Sequence, residues 1–189
     1  MASNFKLLTF VTGNSGKLAE VQAQLPHVRG KQIDLPEIQE LDLQKIVKNK
    51  LEAAVALCDG PVLVDDTALY CDCFRSHDGL DGLPGPMIKW FLQTVTNEGL
   101  AEIVSRLGSN RARACTMFGY FDENRSIHFL EGSVFGTIVI PQGTTGFGWD
   151  HIFIPDGYTQ TFAAMGVNEK NKISPRALAV GHLKEFLKP

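Results

Sequence analysis

The sequence predicts an α/β fold in a single domain spanning residues 1–189. Three observations carry that expectation. Residues 5–11 are rich in strand formers and give way, through the polar turn Thr12-Gly13-Asn14-Ser15-Gly16-Lys17, to Leu18, Val21 and Leu25 at helical spacing. Residues 41–58 have a helical apolar pattern and lead directly into Gly60-Pro61-Val62-Leu63-Val64, which reads as a strand buried on both faces. Residues 114–121 and 126–130 flank Asp122-Glu123-Asn124-Arg125 and read as a hairpin. With 44% hydrophobic and 21% charged residues, a chain of 189 supports one sizeable core and is short for two.

Composition also excludes function classes. A net charge of -3 lacks the basic excess that a sequence-independent grip on nucleic acid needs for counterion release, whereas a single nucleotide needs only a few well-placed cations. Cys58, Cys71, Cys73 and Cys115 form no Cys-x-x-Cys pair, and the apolar run 7–11 is too short for a signal core. No run approaches the roughly 18 apolar residues of a membrane span, so the expectation is a cytoplasmic protein with reduced thiols and no membrane partner.

The first strand, turn and helix form an anion-binding arrangement. Backbone N–H groups at a helix start lack intrahelical partners, glycine lets a phosphate approach, and Lys17 adds a full charge. The spacing is not the P-loop pattern, because only two residues separate Gly13 from Gly16 and Leu18 stands where Ser or Thr would hold magnesium. Read locally, a plain connection capped by Asn14 or Ser15 accounts equally well for the turn. Residues 33–38 include a second expected strand that Pro36 ends or confines to an edge, with Glu37 just beyond it.

On the helix over 41–58, Lys50 falls at the middle of the face made by Leu43, Ile46, Val47, Leu51, Ala54 and Cys58. A lysine there must snorkel outward or meet anions, since its charge is costly to bury alone. The strand that follows ends on Asp65, Asp66 and Thr67, and two adjacent carboxylates require positive charge or open water beside them. Lys50 is therefore expected to point toward those acids.

Cys71, Cys73, His77 and Asp78 fit no recognised zinc spacing and sit more naturally in a glycine-rich surface loop. Pro86 suits a helix start, and Met87, Ile88, Phe91, Leu92 and Val95 share a face; Lys89 lies well off it and reads by periodicity as an exposed lysine. A second helix is expected over 98–107. Strands are expected over 133–140 and 151–155, separated by a loop with glycines and two large aromatics, Phe147 and Trp149, which can stack on a base or fold back over the core. Residues 168–173 read as a polar loop. Ser174 and Pro175 then start a helix, leaving Arg176 at its amino end, where a cation needs solvent or an acceptor partner.

These stretches together resemble the inosine triphosphate pyrophosphatase family. The resemblance rests on Thr12-Gly13-Asn14 with Lys17-Leu18, Ile33-Asp34-Leu35-Pro36-Glu37, and Gly60 through Thr67. It continues in Gly82-Leu83-Pro84-Gly85-Pro86 with Ile88-Lys89-Trp90-Phe91, in Phe147-Gly148-Trp149-Asp150-His151, and in Glu169-Lys170-Asn171 with Ser174 and Arg176. It implies an elongated α/β protein with a long mixed sheet and two lobes about a central nucleotide cleft. It also implies a homodimer and hydrolysis of ITP, dITP and XTP to monophosphate and pyrophosphate, dependent on magnesium, which manganese could replace. By resemblance, Thr12, Gly13, Asn14, Lys17, Lys50 and Lys89 meet the triphosphate, with Thr67 beside them. Glu37 and Asp66 hold the metal, and Asp66 accepts the attacking water's proton. Phe147, Gly148, Trp149 and Asp150 approach the nucleoside, and Lys170, Ser174 and Arg176 the base. Pro175 stands where relatives commonly have His, and the segment 75–81 is longer than usual. Two other readings remain: a Maf-like pyrophosphatase acting on pyrimidine triphosphates, and a nucleotide-binding regulator without catalysis.

Overall fold

The computed structural model describes residues 8–75 and 81–188. In chain order the elements are β1 (Thr9–Val11), α1 (Ser15–Gln24), β2 (Arg29–Lys31), α2 (Leu43–Val55), β3 (Val62–Cys71), β4 (Pro84–Gly85), α3 (Ile88–Arg106), β5 (Arg111–Phe121), β6 (Ile127–Ile138), β7 (Phe153–Pro155), α4 (Phe162–Met165), α5 (Val167–Ile173) and α6 (Pro175–Phe186). The strands form one mixed sheet in the order β2-β1-β3-β5-β6-β7, with β4 paired to β3. β1 runs parallel to β2 and β3, whereas β4 and β7 pair antiparallel with β3 and β6.

The described residues fall into two compact units, 8–66 with 116–132 and 176–188, and 67–75 with 81–115 and 133–175. Each has its own apolar core. Phe10, Leu63 and Phe118 from the sheet pack with Val21 of α1 and Ala179, Val180 and Leu183 of α6 in the first. In the second, Leu69, Ala114 and Ile138 pack with Leu100 and Val104 of α3 and with Phe153 and Phe162.

Within the first unit α2 lies close on the sheet, because β5 carries Gly119 beneath it. A Cβ there would stand 2.8 Å from Val47 Cγ1, too close for any larger residue to leave the helix in place. That seating buries Leu43, Ile46, Val47, Leu51 and Ala54, and Lys50 with them. Asp42 caps the helix, its Oδ1 accepting from the backbone N–H groups of Gln44 and Lys45 at 2.9 and 3.3 Å.

Several expectations are corrected. The second strand lies at Arg29–Lys31, not over 33–38, and is exposed throughout, so no apolar alternation marks it. β3 does not stop at the acids but runs through them to Cys71. The strands expected over 126–130 and 133–140 are one element, β6, running from Ile127 to Ile138. The polar stretch 168–173 is helical within α5. His77 and Asp78, read from the sequence as part of a surface loop and not as zinc ligands, lie outside the described residues, as do residues 5–7 of the first strand and most of segment 75–81. Burial pushes the Cys71 thiol up to about 12, which makes it a packing group and not a nucleophile.

The two helices expected over 87–95 and 98–107 are present as the two halves of α3, separated at Thr96, whose φ of 63° and ψ of 179° are foreign to a β-branched residue. Thr96→Gly should stabilise the fold by roughly 0.5–2 kcal/mol, the strain relieved less the entropy that glycine adds to the unfolded chain. Urea denaturation checks this, and a lower midpoint would show that Thr96 is unstrained.

Candidate functional site

In the first unit, the turn between β1 and α1 has the expected strand, turn and helix form. Asn14 is the helix cap: its Oδ1 accepts from the Lys17 N–H at 3.1 Å, while its own N–H donates to Thr12 Oγ1 at 3.2 Å. Gly13 lies against Asp34, whose Oδ1 would be 3.4 Å from an added Cβ. The turn therefore presents Thr12, Gly13, Asn14 and Lys17 on one short stretch.

Beside it lies a buried ionic network centred on Asp65, which is only 2% exposed. Lys17 Nζ donates to Asp65 Oδ1 at 3.2 Å. Arg176 donates from Nε and Nη2 to Asp65 Oδ2 at 3.2 and 2.9 Å, and from Nη1 to Glu20 on α1. Burial alone would raise the Asp65 pKa, but Lys17, Arg176 and Lys50 outweigh it and hold the carboxyl below its usual range. Burial would likewise lower the Arg176 pKa, and Asp65 and Glu20 reverse this, so the guanidinium is fixed as a cation. Arg176 at a helix start thus has anionic partners, as its unfavourable place on the helix dipole requires.

On the neighbouring position of β3, Asp66 takes part in a second cluster. Lys50 Nζ stands 2.9 Å from Glu37 Oε1 and 3.2 Å from Asp66 Oδ2. The inward lysine predicted from helix spacing therefore meets the acids of β3. Burial would depress its pKa, but Asp66, Glu37 and Asp65 more than compensate, and the net shift is upward. Because successive strand residues point to opposite faces, Asp65 and Asp66 are served by largely separate cations.

No group of three or more His, Cys, Asp or Glu suited to a metal occurs among the described residues. Glu37 and Asp66 do meet at one cationic point, the Lys50 ammonium, although they come from different segments. Magnesium takes one or two carboxylates and completes its shell with water and substrate phosphate oxygens, so this pair fits such an ion.

The second unit contains the other expected residues. After Phe147 comes a 3-10 turn, Gly148–His151, closed by the Phe147 N–H donating to Asp150 Oδ2 at 2.8 Å. Gly146, at φ 81°, lies under that carboxylate: a Cβ would be 2.4 Å from Asp150 Oδ2. Lys170 Nζ donates to the same oxygen at 2.5 Å and sits 4.5 Å from the Phe147 ring centroid. Of the two aromatics, Trp149 turns inward onto Phe153 and Phe162, with centroids 5.4 and 6.0 Å away. Phe147 is half-buried against Lys170. Thr67 on β3 is half-buried, Ser174 is buried, and Lys89 is exposed with its ammonium 5.4 Å from the Trp90 ring centroid.

Two residues that sequence reasoning left unassigned emerge as structural centres, Asp65 and Glu20. Asp65 had a signal, since adjacent acids call for cations. Glu20 had none: it lies off the α1 face formed by Leu18, Val21 and Leu25, and its partner Arg176 is 156 positions away.

Residues 8–186 match the model of the Ham1 family. The chain is 41% identical to an inosine triphosphate pyrophosphatase of Schizosaccharomyces pombe over 95% of its length and 94% of the relative's. It is 45% identical to inosine triphosphate pyrophosphatase 2 of Trypanosoma cruzi, over 97% of this chain and 92% of that one. Its fold is similar to that of a HAM1 protein from Coxiella burnetii, with a TM-score of 0.78, 24% identity, and coverage of 96% and 98% of the two chains. With a part-buried acid-lysine cluster set in this fold and a family match along almost its whole length, the chain belongs to the Ham1 family.

Proposed function

We propose that the chain hydrolyses ITP, dITP and XTP to the monophosphate and pyrophosphate, keeping deaminated purines out of the nucleotide pool. The observation that carries this reading is the convergence of Lys50, Glu37 and Asp66 within 3.2 Å. The relatives named inosine triphosphate pyrophosphatase support the substrate class. We further propose a cytoplasmic homodimer, on the strength of the sequence resemblance. Among the described residues, no helix is long and apolar enough to cross a membrane.

In this reading the Thr12-Gly13-Asn14 turn and Lys17 hold phosphate oxygens through backbone N–H groups and a charge. Lys50 neutralises charge on the polyphosphate, leaving its carboxylate partners for other work, and Lys89 adds a second cation. Thr67 lies next to Asp66 in sequence and belongs to the same phosphate contacts. Asp66 accepts the proton of the water that attacks the α-phosphorus, and pyrophosphate leaves with its charge balanced by the lysines. Glu37 and Asp66 would hold magnesium, or manganese in its place, which lowers the pKa of bound water and offsets phosphate charge when present. Phe147, Gly148, Trp149 and Asp150 bound the nucleoside.

The sequence resemblance assigns Lys170, Ser174 and Arg176 to the base, where a donor favours the oxygen at position 6 of hypoxanthine and xanthine over adenine's amino group. Lys170 and Arg176 are already paired with Asp150 and with Asp65 and Glu20, so only their remaining N–H groups would serve. Guanine also carries that oxygen, and Pro175 offers no donor or acceptor side chain with which to exclude it. Preference for ITP over GTP is therefore expected to fall below about a hundredfold in kcat/KM.

Pyrophosphate release from ITP, GTP, UTP and dTTP, with and without magnesium, tests the reading. Magnesium-dependent release from ITP is expected. Turnover confined to UTP and dTTP would indicate the Maf-like alternative, and binding without turnover a regulator. A very large ITP preference over GTP would show that Pro175 costs no selectivity.

A further inference from the structure

The break in α3 has a partner elsewhere in the second unit. Immediately after the strained Thr96, the Asn97 side-chain Nδ2 donates to the Gly148 carbonyl oxygen at 2.9 Å, across 51 positions of sequence. Gly148 lies between Phe147 and Trp149 and itself has φ 61°. The carbonyl fixes which way round the amide lies, since the opposite orientation would set two oxygens against each other. The Asn97 Oδ1 is then left buried without a hydrogen-bond partner. A strained threonine and an unsatisfied amide oxygen are both costly, and both are retained at the point where α3 grips this loop. A continuous helix would avoid the first cost. The second half of α3 would then begin elsewhere, and Asn97 would no longer lie opposite Gly148.

We infer that Asn97 is a positioning residue for nucleotide recognition: through the Gly148 carbonyl it sets the height and tilt of the Phe147-Gly148-Trp149-Asp150 turn. The turn's own closure, from the Phe147 N–H to Asp150, fixes its internal shape. Asn97 fixes where that shape stands relative to α3. A displacement of about 1 Å in such a loop is enough to impair orientation of a bound nucleoside. This inference rests on the proposed nucleotide reading, and its test separates the two.

Three variants, Asn97→Ala, Asn97→Asp and Thr96→Gly, are compared with wild type. Asn97→Asp is nearly isosteric, and an acid in the first turn of the second half of α3 suits the helix dipole, which offsets part of the cost of a carboxylate with no donor, so the variant should fold with a melting temperature only modestly lowered. Its carboxylate oxygen would nevertheless face the Gly148 carbonyl. KM for ITP should therefore rise at least tenfold in Asn97→Asp and roughly fivefold in Asn97→Ala, with kcat changed less than about threefold. Thr96→Gly keeps both the break and Asn97, and its KM should match wild type. The chain has two tryptophans, Trp90 and Trp149, so a Trp90→Phe background leaves Trp149 as the sole reporter of the turn. In that background, acrylamide quenching of Trp149 should increase in Asn97→Asp and Asn97→Ala without any nucleotide present. Unchanged quenching, or a KM in Asn97→Asp equal to wild type, overturns the inference. A wild-type protein inactive on ITP whose Trp149 quenching still responds to Asn97→Asp overturns the nucleotide reading and leaves the positioning intact.

Discussion

Asp66→Asn is expected to fold as the wild type does and to lose about 10²–10⁴ of its turnover of ITP at saturating magnesium. The substitution is nearly isosteric, Asp66 is half-buried, and Lys50 keeps its 2.9 Å contact with Glu37, so the cluster retains one carboxylate beside its cation. What disappears is the capacity to accept a proton, along with one of the two carboxylates proposed to hold magnesium. Near-native circular dichroism and melting temperature with turnover reduced to this extent would fit the assignment. A rate close to wild type would remove Asp66 from it.

The second large effect concerns stability. Arg176→Ala takes the guanidinium away from Asp65 and Glu20, which are 2% and 8% exposed. Breaking a buried pair by removing one partner costs about 3–5 kcal/mol, because the remaining charge stays desolvated. For a chain of this length that is a fall of roughly 10 °C in melting temperature. The double substitution Glu20→Gln with Arg176→Met should recover part of it, since fewer charges are then left buried. A loss under about 1 kcal/mol on urea denaturation would show the network to be well solvated.

The same network sets a direction with pH. Lys17, Arg176 and Lys50 hold the Asp65 carboxyl below its unfolded value of about 3.9 despite its burial. Its contribution to stability is therefore complete above about pH 5 and lost progressively as pH falls through the depressed folded value. In Arg176→Ala the acid limb of the stability curve should move to higher pH, as one of the carboxylate's cations is gone.

Much of this could be read from residue spacing. Lys50 was legible because α2 is regular and amphipathic, so a charge in the middle of its apolar face stands out. The turn Thr12-Gly13-Asn14 was legible because the apolar period changes from strand to helix across it. The continuation of β3 through Asp65 and Asp66 was not legible, since isolated acids oppose a buried strand. The strand survives because Lys17, Arg176 and Lys50 arrive from α1, α6 and α2. β2 has no apolar residue to mark it, and α5 is too polar to show a helical face. The Asn97 contact with Gly148 joins two segments 51 residues apart and leaves no periodic trace.

The central claim is that the lysine and carboxylate cluster on β3 and α2 directs water to the α-phosphorus of a purine triphosphate. Hydrolysis of ITP in ¹⁸O-labelled water, with mass analysis of both products, tests it most directly. The label should appear in the phosphate of IMP and be absent from pyrophosphate, whereas label in pyrophosphate, or release of orthophosphate as the primary product, would contradict it.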